Sequence, residues 1–394
     1  MSQNQFQRKV YLHFIKIFKS FYINLTKKRI KKMSFIFRLN SIEDRFEPIV
    51  EIGKGTYGLV QKCRDKETNQ FVAVKKIIQR AKNDDFLKNT IREIVLLREL
   101  SHINIVKLIC YVQTEVNKDD IGQYLVFEYC EYDLCALIYN QHLTEECSYS
   151  IIKQLIVVLQ YCTIKNVIHR DLKPANIFIT RDNLVKLGDF GLARKKKDPK
   201  SRYTDKVITL WYRPPELLLG ADKYGTDVDI WSTGCILYEI MTGKTLFKAQ
   251  ENNEISQLQA IFNILGHPPK GWNGFKLKNS KLFEGVRNIP KENKLNEVLQ
   301  KDISNELLRK LISQMLSLFP EKRISAAEAL NSEFIRSLGT SYDPFNLPQL
   351  TFSEVHSNDR KERRSSVPPR SDSRSQLKHE HYRPERPLPN PPRL

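Results

Sequence analysis

The sequence predicts an α+β chain whose core is divided between two lobes, and three observations carry that prediction. Its 394 residues are 41% hydrophobic, enough to bury a large core that a chain of this length divides between lobes or domains. Residues 46–65, FEPIVEIGKGTYGLVQKCRD, read as strand, glycine turn, strand. Residues 85–100, DFLKNTIREIVLLREL, carry Ile91, Ile94 and Leu97 at the spacing of a helix.

Composition narrows the class further. The hydrophobic content excludes a purely disordered chain. A formal charge of +19 implies attraction to acidic partners and says nothing about fold. The seven cysteines form no C-x-x-C pair, so neither a zinc site nor a disulfide framework is suggested, and a reducing, intracellular setting fits. Each cysteine reads as a small core residue.

Residues 1–42 contain no Asp or Glu and many Lys and Arg, and are expected to be a basic, disordered N-terminal extension. They read as a basic amphipathic or transit-like segment, or as sequence ahead of a start at Met33. The apolar run from Val10 to Leu25 is broken by His13, Lys16 and Lys19, short of the roughly 20 continuous apolar residues of a membrane span. No transmembrane span is expected. Lys27, Lys28, Arg29, Lys31 and Lys32 read as a nuclear-localisation or acidic-partner patch, or as solvated charge.

The folded region is expected at 43–338. In its first strand pair, Gly53, Gly55 and Gly58 let backbone approach phosphate oxygens where a β-carbon would obstruct. The spacing alone is weak: a dinucleotide fingerprint would open a helix there, whereas Val60 and its successors keep strand character. FVAVKK then sets Lys75 on an apolar strand, where an unpaired ammonium is costly. Glu93 on the following helix is the expected carboxylate partner.

Further on stand NVIHRDLKPANIFIT at 166–180 and LVKLGDFGLAR at 184–194. With the glycine turn, Lys75 and Glu93, these pieces resemble the protein kinases in order and spacing over roughly 300 residues. The resemblance implies a bilobal kinase fold, with a β-rich N-lobe over about 43–128 bearing one key helix. A larger, mainly helical C-lobe would follow over about 131–338. It also implies ATP and Mg2+ as cofactors and transfer of the γ-phosphate to serine or threonine, the lysine of HRDLK favouring those hydroxyls. Such chemistry is mostly positioning and charge neutralisation. By resemblance Asp171 orients the substrate hydroxyl and accepts its proton, and Lys173 lies near the transferring group. Asn176 and Asp189 supply hard oxygen ligands to magnesium, and Lys75 with Glu93 holds the nucleotide phosphates. Ile52, Val60 and Ala73 join the glycines around ATP. In the hinge YLVFEYCEYDL at 124–134, Phe127 is the expected gatekeeper, Glu128 and Cys130 meet adenine through backbone groups, and Asp133 lies near the ribose.

The segment SRYTDKVITLWYRPPELLLG at 201–220 looks like a cyclin-dependent kinase. Thr204 matches the activation-loop phosphosite, and Arg92, Arg170 and Arg194 the guanidinium groups that bind its phosphate. Mitogen-activated kinases carry Thr-x-Tyr, but the third position here is Lys206. Val207, Ile208 and Arg213 match a pocket for a proline after the acceptor, so Ser-Pro or Thr-Pro protein substrates are implied. Glu216 with Arg323 resembles a buried ion pair, and Asp229 a residue holding the catalytic loop. Thr56 and Tyr57 resemble inhibitory phosphosites, or are ordinary loop residues. The resemblance implies a cyclin-like regulatory subunit, although Leu87 stands where these kinases carry proline. The hinge, RYTDKVITLWYRPPE at 202–216 and NNEISQLQAIFNILGHPPKGW at 252–272 resemble transcription-elongation members. They imply a nuclear enzyme, cytoplasmic as well in some settings, acting on the C-terminal repeat of RNA polymerase II. A cell-cycle kinase is the alternative reading, and a pseudokinase scaffold a more distant one since no catalytic group is missing. Direct nucleic-acid binding is not expected, because the basic termini come without a base-reading motif.

From residue 339 the composition turns to Pro, Arg and Ser, and 339–394 is expected to be a disordered tail. Its closing prolines, Pro384, Pro387, Pro389, Pro391 and Pro392, suit an SH3-like or WW-like partner, or only a flexible end.

Overall fold

The computed structural model describes residues 35–55, 58–77, 84–117, 120–140, 142–195 and 210–357. Thr56, Tyr57, Thr204, Lys206, Val207 and Ile208 lie outside the described residues, as do the basic stretch before Phe35 and the proline-rich stretch after Ser357.

The N-lobe is a six-stranded sheet. In chain order its strands are β1 (Ile36–Leu39), β2 (Phe46–Gly55), β3 (Gly58–Asp65), β4 (Phe71–Ile77), β5 (Leu108–Asn117) and β6 (Asp120–Glu128). Across the sheet they run β1-β5-β6-β4-β3-β2, antiparallel except where β1 lies parallel to β5. Alternation decides which residues the sheet buries: Phe46, Cys63, Val72, Val74, Val112 and Val126 form a small core of their own on one face. At the β2–β3 turn Gly58 has φ +148°, and a Cβ there would lie 1.9 Å from the Lys76 carbonyl oxygen. Only glycine fits that approach. Helix α1 (Asp84–Glu99) buries Ile91, Ile94 and Leu97 as the spacing requires.

The C-lobe is mainly helical. Helix α2 (Leu134–Tyr139) follows β7 (Tyr132–Asp133) and leads to α3 (Glu145–Ile164), whose N-terminus is capped by the Thr144 hydroxyl. Helix α3 is long and apolar enough to cross a membrane, but 67% of that stretch is buried in the protein, so its apolarity serves the core. Two small ribbons come next: β8 (Val167–Ile168), β9 (Ile177–Ile179), β10 (Val185–Leu187) and β11 (Arg194–Lys195) pair as β10-β9-β7 and β11-β8. Helix α4 (Pro215–Leu218) precedes α5 (Asp227–Thr242), which is buried from Val228 to Ile240 and ends at Gly243 with φ +68°. The lobe closes with α6 (Glu254–Leu265), α7 (Leu295–Asp302), α8 (Glu306–Met315), α9 (Ala326–Leu330) and α10 (Glu333–Leu338).

Ordered structure extends past both expected ends of the folded region. Strand β1 lies inside the stretch expected to be a disordered extension, with Tyr111 N donating to the Phe35 carbonyl at 2.9 Å. At the other end, residues 339–357 pack on the body of the protein: Leu350 is buried, and Val355 pairs with Tyr132. Composition alone misplaced these ends because a few apolar side chains, Phe37, Leu350 and Phe352 among them, suffice when the backbone also finds partners.

Candidate active site

Between the lobes lies a cleft lined by Ile52, Gly53, Gly58, Val60, Ala73, Lys75, Glu93, Phe127, Glu128, Cys130, Asp133, Asn176 and Asp189. Gly55 stands at the end of β2, paired with Gly58. The cleft also takes in Leu97, Val106, Ala175, Phe178, His356 and Ser357, none of which the sequence assigned to a site. Phe178 sits on β9, close to Gly188, where a Cβ would lie 2.6 Å from its ring. An apolar residue two after Asn176 was the available signal for Phe178; nothing in the sequence pointed to His356 or Ser357.

Three charged groups meet at the inner end. Lys75 Nζ lies 3.5 Å from Glu93 Oε1 and 3.9 Å from Asp189 Oδ1. Burial pushes the Glu93 carboxyl up, Lys75 pulls it down and Asp189 pushes it up again, for a net rise. Burial also works against ionised Asp189, but Lys75 and Lys173 outweigh it and hold that carboxyl below the ordinary range. Asp189 has a left-handed backbone, φ 54° and ψ 64°, a costly conformation for this residue type. Helix α1 packs against the turn at Phe190–Leu192, so the Glu93 helix and the Asp189 turn move as neighbours.

The second group sits on the loop before β9. Lys173 Nζ donates to Asp171 Oδ2 at 2.7 Å, while Asn176 Nδ2 donates to the Asp171 carbonyl at 2.8 Å and to Oδ2 at 3.0 Å. The loop is fastened from below: the buried Asp229 carboxylate on α5 accepts the backbone N–H of His169 at 2.7 Å and of Arg170 at 2.8 Å. Arg170 is itself left-handed at φ 71°. Its Nε donates to the Leu192 carbonyl at 2.7 Å, and Arg194 Nη1 reaches the neighbouring Ala193 carbonyl at 2.8 Å. These two guanidinium groups therefore converge on one turn, with Arg92 on α1 directly before Glu93. Arg213 lines a small depression shared with Asp171 and Lys173. The Glu216–Arg323 pair is bidentate at 2.6 and 2.8 Å, with the Arg323 side chain fully buried beside Trp231.

The hinge orients its groups in two directions. The Glu128 carboxylate accepts from Lys107 N at 2.7 Å and from Lys186 Nζ at 3.0 Å, which leaves its backbone as the cleft-side feature. Both Asp133 oxygens are already engaged: Oδ1 caps α2 through Ala136 N at 2.8 Å, and Oδ2 accepts from Ser357 N at 2.5 Å. The carboxylate expected near a ribose is thus also the anchor of a C-terminal segment. Burial holds this carboxyl above its ordinary range.

The donor set suits a hard divalent cation. Asn176 spends its amide N–H on Asp171, so an oxygen remains for a ligand, and Asp189 adds an ionised carboxylate. Among the described residues no group of three or more His, Cys, Asp or Glu clusters to hold a metal unaided. A cation shared with substrate phosphates needs fewer protein ligands.

Comparison with known proteins agrees with this geometry. The model of the protein kinase domain family matches residues 46–335. Cyclin-dependent kinase 12 of Drosophila melanogaster is 42% identical over 347 residues, covering 82% of this chain and 28% of that protein. The chain spans well under half the length of the first curated relatives it matches. Probable cyclin-dependent kinase 10 of Dictyostelium discoideum is 41% identical over 298 residues, 73% of this chain and 78% of that protein. Among solved structures, a chain of the yeast RNA Pol II CTD kinase CTDK-1 complex superposes with a TM-score of 0.65 at 30% identity, covering 78% of this chain and 97% of that one.

Proposed function

The chain belongs to the protein kinase family, in its cyclin-dependent branch, and on that premise we propose that it transfers the γ-phosphate of ATP to serine or threonine followed by proline. The observation that carries the reading is that Lys75, Glu93, Asn176 and Asp189 line one cleft, with Asn176 hydrogen-bonded to Asp171 and Asp171 to Lys173.

Each residue then has a task that its surroundings support. Backbone groups of Glu128 and Cys130 hold the adenine, with Ile52, Val60, Ala73 and Phe127 closing around it. Gly53, Gly55 and Gly58 bring backbone N–H groups to the phosphates. Lys75, oriented by Glu93, neutralises phosphate oxygens. Asn176 and Asp189 would hold magnesium, which draws negative charge from the phosphoryl oxygens when bound. Asp171 orients the acceptor hydroxyl and takes its proton, while Lys173, hydrogen-bonded to Asp171, faces the charge that develops on transfer. Arg213, beside Asp171, belongs to the proline-binding wall with Val207 and Ile208.

The substrate we propose is the Ser-Pro-rich C-terminal repeat of RNA polymerase II, with action in the nucleus. It is supported by the named activity of the yeast complex and by the cyclin-dependent relatives. The regulatory inputs are a cyclin-like subunit acting on α1 and phosphate on Thr204 gathered by Arg92, Arg170 and Arg194. Moving an inactive population from about 1% to 99% takes about 5.5 kcal/mol of differential binding, which two inputs can share.

The test is phosphorylation of heptad-repeat peptides by the purified chain, alone and with candidate cyclins. Expected are activity that needs a cyclin, falls on Thr204→Ala, and disappears when each proline after serine is replaced by alanine. Equal turnover on the proline-free peptide would overturn the specificity, and full activity of the isolated Thr204→Ala chain would overturn the two-input regulation.

A further inference from the structure

We infer that Glu354 is a positioning residue that clasps the two lobes together across the hinge and so governs how fast the nucleotide cleft releases product, an inference that rests on the kinase reading of that cleft.

Residues 348–357 form a strap held first by the C-lobe. Asn183 Nδ2 donates to the Pro348 carbonyl at 2.9 Å, and Leu350 N to the Arg181 carbonyl at 2.9 Å. The buried Tyr132 hydroxyl donates to the Phe352 carbonyl at 2.9 Å, and the Phe352 ring stacks on His142 at 4.1 Å. Val355 then joins the hinge backbone, its N–H donating to the Glu131 carbonyl at 3.2 Å and its carbonyl accepting from Asp133 N at 3.4 Å.

From this C-lobe track one side chain reaches the other lobe. Both oxygens of the Glu354 carboxylate accept from Lys62 Nζ on β3, at 2.8 and 2.6 Å, and one accepts as well from the Tyr129 hydroxyl at 2.9 Å. Lys62 is a nearly buried ammonium: its side chain is 9% exposed and stands over the rings of Phe71 at 4.3 Å and Tyr129 at 4.5 Å. Aromatic faces attract a cation but do not replace an anion. Glu354 supplies that anion from the far side of the hinge. Any rotation that opens the cleft must therefore separate Lys62 from Glu354 or peel the strap off Tyr132 and Asp133. At the cleft mouth His356 and Ser357 of the strap join the lining, so the restraint acts where a nucleotide enters and leaves.

The experiment follows release of a fluorescent ADP analogue from the full chain, alone and bound to the cyclin that supports its activity, by stopped flow, together with single-turnover phosphoryl transfer by the cyclin-bound chain. Glu354→Gln keeps the shape and removes the charge, and is expected to speed release about tenfold, the scale of a charge-assisted hydrogen bond. KM for ATP should rise with single-turnover transfer unchanged, because no group of the inner cleft is altered. Lys62→Met should act alike, and the double variant no more strongly than either single one. Release within twofold of the parent in Glu354→Gln, or effects that add in the double variant, would overturn the clasp while leaving the kinase reading intact. Failure of the parent chain to bind the analogue would overturn both.

Discussion

Two regions of the molecule are built from the same material, charged pairs about 3 Å apart, and differ in how the chain brings the partners together. In the catalytic cleft two hydrogen-bonded pairs join partners near in sequence: Lys173 and Asp171 are two positions apart, and Lys75 and Glu93 are eighteen. In the hinge strap, Lys62 and Glu354 are 292 positions apart. The near pairs stand on a loop whose geometry buried groups such as Asp229 fix, and on a strand and helix of one lobe. The far pair is made by laying a late segment along a surface the rest of the chain has already completed. The first kind of site is the harder to lose without losing the protein. The second can open while both lobes stay folded.

That contrast can be broken in order of effect. Asp189→Ala removes an ionised carboxylate from the cleft and, on the proposed magnesium role, should lower turnover by about 10²–10³-fold with the thermal transition retained, as radiolabelled phosphotransfer and calorimetry would record. A folded variant with near-normal turnover would remove Asp189 from the machinery. Glu216→Gln probes the C-lobe's buried pair. Leaving Arg323 buried with Asp227, at 3.9 Å, as its remaining charge partner should cost about 3 kcal/mol and lower the melting midpoint by roughly 5–10 °C, with nucleotide affinity little changed in what remains folded.

Phe352→Ala tests the strap's own anchoring. It should raise hydrogen exchange at the backbone N–H groups of Val355 and Ser357 and leave the melting midpoint within about 1–2 °C, because local opening is decoupled from global unfolding. A large global loss would mean that the strap is part of the cooperative core. The smallest effect is one of pH. Burial alone would raise the Glu354 carboxyl, but Lys62 and Tyr129, with Arg181 adding attraction, hold it below its ordinary range. A carboxyl lowered on folding gives stabilisation that is present above its unfolded pKa and lost as pH falls through the folded one. Product release should thus be flat from neutrality down to about pH 4.3, the ordinary glutamate value, and quicken only below it. In Glu354→Gln that acid limb should vanish.

The same contrast explains what was legible in the sequence. The α+β division, the strand–turn–strand of the glycine loop and the helix of Glu93 could be read because hydrophobic period and glycine chemistry act over a few residues. Lys75, Asp171, Asn176 and Asp189 could be read because their motifs are contiguous. Asp133 was legible as a hinge residue but not as the cap of α2 and the anchor of Ser357, since its second partner lies 224 positions away. Glu354, His356 and Ser357 sit in a stretch whose composition resembles a flexible tail. Their placement depends on Tyr132 and Lys62, which no local pattern links to them.

Strand β1 has a consequence of a different kind. Tyr111, Val112, Gln113 and Thr114 of β5 are all buried, and β1 pairs with each of them in parallel register. Take β1 away and β5 becomes the rim of the sheet, a row of unmatched N–H and C=O groups flanked by Tyr111 and Val112. Such a rim is a template for self-association. A chain shortened to begin at Ser41 would keep every catalytic group, yet should form soluble oligomers or precipitate at concentrations where the longer chain stays dispersed, as light scattering would reveal. The short strand that composition assigned to a loose extension would then act as a guard for solubility.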